Sequence, residues 1–206
     1  MAQQSNKAII LSGLPGSGKT TLARLLLNHI PNSLHIEIDM FYENGKSNNK
    51  AFLEYIATSI KNYNVIICKN YYNNKSLNET LSLLTNYRYY IFNLIPEEWN
   101  SSVRLKVQSA AMPSFNVPQD FISYDSSNNI NREKQNDYVE LLLDRIEKRT
   151  DMSSPMKITN NNERQRAKQI IINAFVKKYE NIDGCIYLDS FANIDKNIAI
   201  IMDKIK

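Results

Sequence analysis

The most constraining feature of the chain is the stretch Gly13-Leu14-Pro15-Gly16-Ser17-Gly18-Lys19-Thr20, because of what flanks it. Ala8-Ile9-Ile10-Leu11, just before it, is a short continuous apolar run and reads as a buried strand. After Gly18, Leu22, Leu25 and Leu26 recur at helical spacing, and Pro31 closes that helix. The turn between strand and helix fits G-x-x-x-x-G-K-[ST] without a mismatch, in the context the pattern demands. The chain has only five glycines, Gly13, Gly16, Gly18, Gly45 and Gly184. Three of them fall within six residues, which marks unusual backbone there.

Such a turn binds phosphate. Without side chains in the way, successive backbone N–H groups point inward at one anion. The following helix adds free amides and the positive end of its dipole. Lys19 is expected at the β- and γ-phosphates as a point charge, and the Thr20 hydroxyl on Mg²⁺. The candidate triphosphate-binding residues are Gly13, Pro15, Gly16, Ser17, Gly18, Lys19, Thr20 and Thr21, with ATP or GTP as the donor.

Other chemistries are excluded by composition. A length of 206 residues with 43% hydrophobic and 22% charged residues predicts one soluble domain over 1–206. No apolar run approaches the roughly 20 residues that span a bilayer, and Met1–Lys7 is polar, unlike a signal peptide. The expectation is an intracellular protein, cytoplasmic or nuclear, with no membrane partner. Cys68 and Cys185 make neither a disulfide framework nor a zinc site, and are expected to be reduced, buried strand residues. With His29 and His35 as the only histidines, a multi-histidine metal site or a Ser-His-Asp hydrolase is disfavoured. Chemistry must run on Lys, Arg, Asp and Thr.

Further along, Leu34-His35-Ile36-Glu37-Ile38 alternates as a second strand and delivers Asp39 at its carboxyl end. Residues 50–61 and 76–85 read as helices, Val65–Cys68 and Tyr89–Ile95 as strands. Residues 113–136 are polar and rich in Ser and Asn, an insert or part of a lid spanning about 112–165. Helices near 138–149, 163–180 and 193–205 and a strand Cys185–Asp189 complete a pattern that predicts a parallel α/β sheet.

Two constellations face the phosphate turn. Ligands of such sheets gather outside the carboxyl ends of the strands, so Asp39 is placed to take a proton from an attacking hydroxyl or to support Mg²⁺. At about 100° per residue, Arg145 and Arg149 fall between Leu141 and Leu142 on the helix that also carries Tyr138 and Ile146. The pair is thus expected to project from the apolar stripe toward anions, snorkelling near a helix end being the alternative. Residues 144–180 hold nine bases and five acids, an excess equal to the whole chain's net charge of +4. An anionic partner and a solvated helix face both fit that excess.

With Ile38-Asp39-Met40-Phe41-Tyr42, Val65-Ile66-Ile67-Cys68-Lys69-Asn70 and Arg145-x-x-x-Arg149, the turn resembles the P-loop polynucleotide 5′-hydroxyl kinases. These include the kinase module of fungal-type tRNA ligases, and the resemblance spans most of the chain. It implies a P-loop NTPase/kinase fold, a five-stranded parallel sheet flanked by helices with a helical lid. It implies Mg²⁺-dependent transfer of the γ-phosphate to the 5′-hydroxyl end of RNA or DNA, in an RNA-repair setting. The catalytic residues would be Lys19, Asp39 as general base, and Arg145 and Arg149 bracing the phosphates, with Mg²⁺ at Thr20 and Asp39. There are two departures. Tyr42 stands where some of these kinases place an arginine, and Cys68 stands near the place of a strand-three acid. Lys46, Lys50 and Lys69 are either substitute phosphate contacts or surface lysines. The alternatives are a small-molecule or nucleoside kinase, since Asp39-x-Phe41-Tyr42 is also similar to uridine-kinase-like enzymes, and a non-catalytic nucleotide-binding module.

Overall fold

Alternating residues of the first strand, β1 (Lys7–Gly13), are buried on opposite faces, which is why its middle, Ala8–Leu11, is apolar without a break. The computed structural model describes residues 6–43, 46–71, 74–95, 139–148, 158–176 and 184–206. After β1 come α1 (Lys19–Leu26), β2 (Ser33–Glu37), a 3₁₀ turn (Ile38–Phe41), and a small hairpin of β3 (Tyr42–Glu43) and β4 (Lys46–Ser47). Then follow α2 (Asn49–Ser59), β5 (Asn64–Cys68), α3 (Asn74–Leu81) and β6 (Arg88–Ile95). A helix over 139–147, α4, precedes α5 (Asn161–Val176), β7 (Ile186–Asp189) and α6 (Ile194–Lys204).

The five longer strands form one sheet in the order β2-β5-β1-β6-β7, and every pairing is parallel. All carboxyl ends therefore open on one edge. Ile9 and Leu11 meet Leu22, Ala23 and Leu26 of α1 and Ile201 of α6 on one face. Ala8 and Ile10 meet Phe52 and Ile56 of α2 and Leu77 of α3 on the other. Burying each such Leu, Ile or Phe side chain stabilises the fold by about 1.5 to 3 kcal/mol. A third cluster joins Leu14 and Ile95 to α4 and α5 through Val139, Leu142, Leu143, Ile146, Ala167 and Ile171.

The expected strands all form, with ends shifted by a residue or two, but the hairpin and the 3₁₀ turn were not anticipated. Cys68 is a buried strand residue as expected. Cys185, in contrast, stands one residue before β7 and is only half-buried; both are free thiols. Of the insert expected over about 112–165, residues 139–148 and 158–165 are described; Tyr138, Gly45 and Arg149 lie outside the described residues. Among the described residues no helix is long and apolar enough to cross a membrane.

Candidate functional site

Where β1 ends at Gly13 the chain turns at once into the glycine-rich loop. At Gly16 φ is +78°, and a Cβ would stand 2.9 Å from the Leu142 carbonyl oxygen. Only glycine lets the loop pass that close beneath α4. The Ser17 N–H donates to the Leu14 carbonyl at 3.1 Å and closes the turn. α1 then starts with no side-chain cap and no acid in its first turn, the end most welcoming to an anion. Gly13, Pro15, Gly16, Ser17, Gly18, Lys19, Thr20 and Thr21 thus lie together in the loop and the first turn of α1. The Lys19 ammonium bends back over the loop, donating to the carbonyls of Gly13 at 2.8 Å and Leu14 at 2.9 Å.

The acid facing this loop is one that sequence reasoning missed. Thr20 Oγ1 donates to Glu37 Oε2 at 2.8 Å. Glu37 ends β2, and β2 packs beside β5 in register Glu37↔Cys68, so the carboxylate reaches across from the sheet's edge. The signal was present in the strand's alternation. His35 and Glu37 share the face opposite Ile36, and that face looks toward α1. The His35 imidazole stands 3.6 Å from the same carboxylate, and burial holds its pKa below the usual 6.5 although Glu37 pulls it up.

Cys68 occupies the place where an acid was looked for. Its thiol is buried, directed at the Lys19 carbonyl at 3.7 Å, and burial pushes its pKa far up, so it stays a neutral thiol. Lys19, Glu37 and Asp39 all act electrostatically on that sulfur, so the three charges converge around the carboxyl end of β5. Asp39 sits half-buried in the 3₁₀ turn, two residues beyond Glu37. Its neighbours Met40 and Tyr42 are exposed by 58% and 38%.

The donor set suits magnesium. A hydroxyl and a carboxylate are hard oxygen ligands, and no group of three His, Cys, Asp or Glu gathers among the described residues. Mg²⁺ is held in such places by one or two protein oxygens, with water and phosphate completing its shell.

α4 is rotated relative to the sequence expectation. Val139, Leu142, Leu143 and Ile146 are buried while Leu141 is 48% exposed. The buried stripe is therefore centred between Leu142 and Leu143, because Val139 and Leu143 weigh more than Leu141. Arg145 falls at the edge of that stripe rather than in its middle. Its guanidinium donates to the Ser190 carbonyl at 2.8 Å and lies 4.3 Å from the Phe191 ring centre. Burial lowers its pKa, partly offset by Asp189. It forms one wall of a cavity of about 310 Å³ that also touches Gly18, Thr21, Leu94, Ser190 and Asn197. The cavity thus adjoins the phosphate loop through Gly16, Ser17 and Gly18.

The excess of bases in 144–180 is partly spent inside the molecule. Arg164 of α5 pairs with Glu140 at 2.9 Å, Asp144 at 2.8 Å, and also Glu147, all on α4. Lys168 pairs with Glu140 at 2.7 Å. These two bases clamp α5 to α4 instead of facing a partner. Of the lysines weighed near Asp39, Lys50 is a surface residue 3.8 Å from Glu54. Lys69, by contrast, is buried, only 8% exposed.

No protein-family model matches the sequence, and no curated protein does. Solved structures do. A gluconokinase from Sinorhizobium meliloti 1021 superposes with a TM-score of 0.53 at 9% identity, over 98% of this chain and 97% of that one. A fungal RNA kinase gives 0.53 at 14% identity over 98% and 86%. A sugar kinase from Janibacter sp. HTCC2649 gives 0.51 at 13% over 97% and 93%. A parallel five-stranded sheet, a phosphate loop after its central strand and these likenesses agree: the chain has the α/β P-loop kinase fold.

Proposed function

We propose that the chain is a Mg²⁺-dependent kinase that moves the γ-phosphoryl group of ATP or GTP to the 5′-hydroxyl end of RNA or DNA. The observation that carries this reading is the placement of Asp39. It stands half-buried two residues beyond Glu37, the partner of Thr20, on a turn whose flanking Met40 and Tyr42 are open to solvent. An exposed aromatic and a thioether beside the base suit the stacked end of a strand. The fold likeness to a fungal RNA kinase supports the same reading.

In this mechanism Asp39 accepts the proton as the acceptor oxygen forms its bond to the γ-phosphorus. The bond from that phosphorus to the β–γ bridging oxygen breaks, and the loop amides hold the departing diphosphate. Lys19 exchanges its two carbonyl partners for phosphate oxygens, a substitution that costs little because both sets are acceptors. Thr20, with Glu37 and Asp39 nearby, would hold Mg²⁺, which supplies charge neutralisation along the triphosphate when bound. Arg145 adds positive charge from the cavity wall, and Arg149, four residues on in sequence, is the second lid candidate.

A small-molecule acceptor is the second reading, supported by the likeness to a gluconokinase and a sugar kinase. Incubation with γ-labelled ATP or GTP, Mg²⁺ and either 5′-hydroxyl oligonucleotides, nucleosides or sugar acids separates the two. Label on the oligonucleotide end, lost in Lys19→Ala and Asp39→Ala, is the expected result. Label only on small acceptors would overturn the nucleic-acid reading. Nucleotide binding without any transfer would leave a binding module.

A further inference from the structure

Lys69 follows β5 at the carboxyl edge of the sheet, its N–H bonded to the Leu11 carbonyl at 3.1 Å. Its stem is buried, and its ammonium donates to the side-chain oxygen of exposed Asn49 at 2.6 Å, in the first turn of α2. The same ammonium lies 5.3 Å from the Phe52 ring centre and 5.0 Å from that of Tyr71. Among the described residues no carboxylate pairs with it; exposed Glu79 acts on it only at longer range. A cation taken out of water normally carries a counter-charge with it. Here a neutral amide and two ring faces compensate in part, and a net positive potential is left beside exposed Asn49.

That potential lies on the acceptor side. Phe52, beneath the ammonium, packs edge-on against Phe41 at 5.8 Å, and Phe41 closes the 3₁₀ turn that carries Asp39. We infer that Lys69, steadied by Asn49, is the anion-recognition group for the acceptor, taking the phosphodiester next to the terminal nucleoside. The inference rests on the kinase reading above and sharpens it: the acceptor is a strand carrying a backbone phosphate, not a bare nucleoside. Lys69 acts as a specificity determinant and touches none of the bonds that change.

The deciding variant is Asn49→Asp, which supplies the missing carboxylate 2.6 Å from the ammonium without emptying the core. A purely structural lysine would gain from that change. A phosphate-binding lysine would be neutralised by it. Binding of a 5′-hydroxyl tetranucleotide is compared, at low salt, with the same molecule carrying a neutral methylphosphonate at its first linkage. The wild-type chain is expected to prefer the charged form by about tenfold or more, the weight of one charge-assisted hydrogen bond. Asn49→Asp and Lys69→Met should both bring the preference to within about twofold, with the melting temperature of Asn49→Asp not lowered. No preference in the wild type, no binding of either molecule, or a preference that survives in Asn49→Asp overturns the inference. A preference that disappears as expected, in a protein that transfers no phosphoryl group, overturns the kinase reading and leaves the anion site standing.

Discussion

Replacing Glu37 by glutamine probes the donor half of the site with almost no change of shape. Thr20 gives its only hydroxyl proton to Glu37 at 2.8 Å, which leaves the oxygen lone pairs for a cation. Glutamine removes the negative charge, and its amide N–H competes for those same lone pairs. Loss of a partner that orients a metal-ligating group costs about tenfold to a hundredfold in metal affinity, or about 1.4 to 2.7 kcal/mol. Titrating Mg²⁺ against a fluorescent ATP analogue reads the effect directly. The Mg²⁺ concentration at half-saturation should rise by that factor in Glu37→Gln. Binding measured with excess chelator should hold or tighten, because a negative charge near the triphosphate has gone. Superimposable Mg²⁺ titrations in the two proteins would refute the assignment. A fall in chelator-bound affinity equal to the fall with Mg²⁺ would do so as well, since it would mark general damage to the loop.

Three further outcomes are expected. Asp39→Asn should lower kcat for phosphoryl transfer by about a hundredfold to ten-thousandfold at saturating ATP and Mg²⁺; an unchanged kcat removes Asp39 from the chemistry. Gly16→Ala should cost about 2 to 4 kcal/mol, from left-handed strain and the 2.9 Å approach to the Leu142 carbonyl. With a urea slope near 2 kcal/mol per molar, the unfolding midpoint should drop by about 1 to 2 M. Arg145→Ala should weaken ATP binding by about tenfold, measured calorimetrically, and an unaltered Kd would take the guanidinium off the cavity wall.

How much was legible depended on how local each feature is. The phosphate loop is written in eight consecutive residues, and β1, β5 and β6 announce themselves because strands buried on both faces have no polar side to confuse the pattern. Glu37 was passed over because its meaning is not local. It gains a partner 17 residues away only once β2 is set beside β5 with one particular register. The rotation of α4 turned on whether Leu141 or Leu143 faced inward, and two leucines in one turn give the hydrophobic period nothing to choose between. Lys69 could not be told from Lys46 and Lys50, all three reading as either phosphate contacts or surface lysines, since burial of a cation leaves no mark in the sequence around it. The basic stretch stayed ambiguous for a related reason: Arg164 and Lys168 meet their acids on another helix, where a linear charge count cannot see them.

The position of β2 at the sheet's edge has a consequence for how the chain is made. β2 is bonded to β5 and not to β1, although it follows β1 directly in sequence. A ribosome therefore releases the phosphate loop and α1 early, then β2, and the strand that must hold β2 in place only later. Until Asn64–Cys68 has emerged, Glu37 has no ladder to fix it opposite Thr20. A nascent or truncated chain that stops short of β5 carries every letter of the nucleotide signature and lacks the means to assemble it.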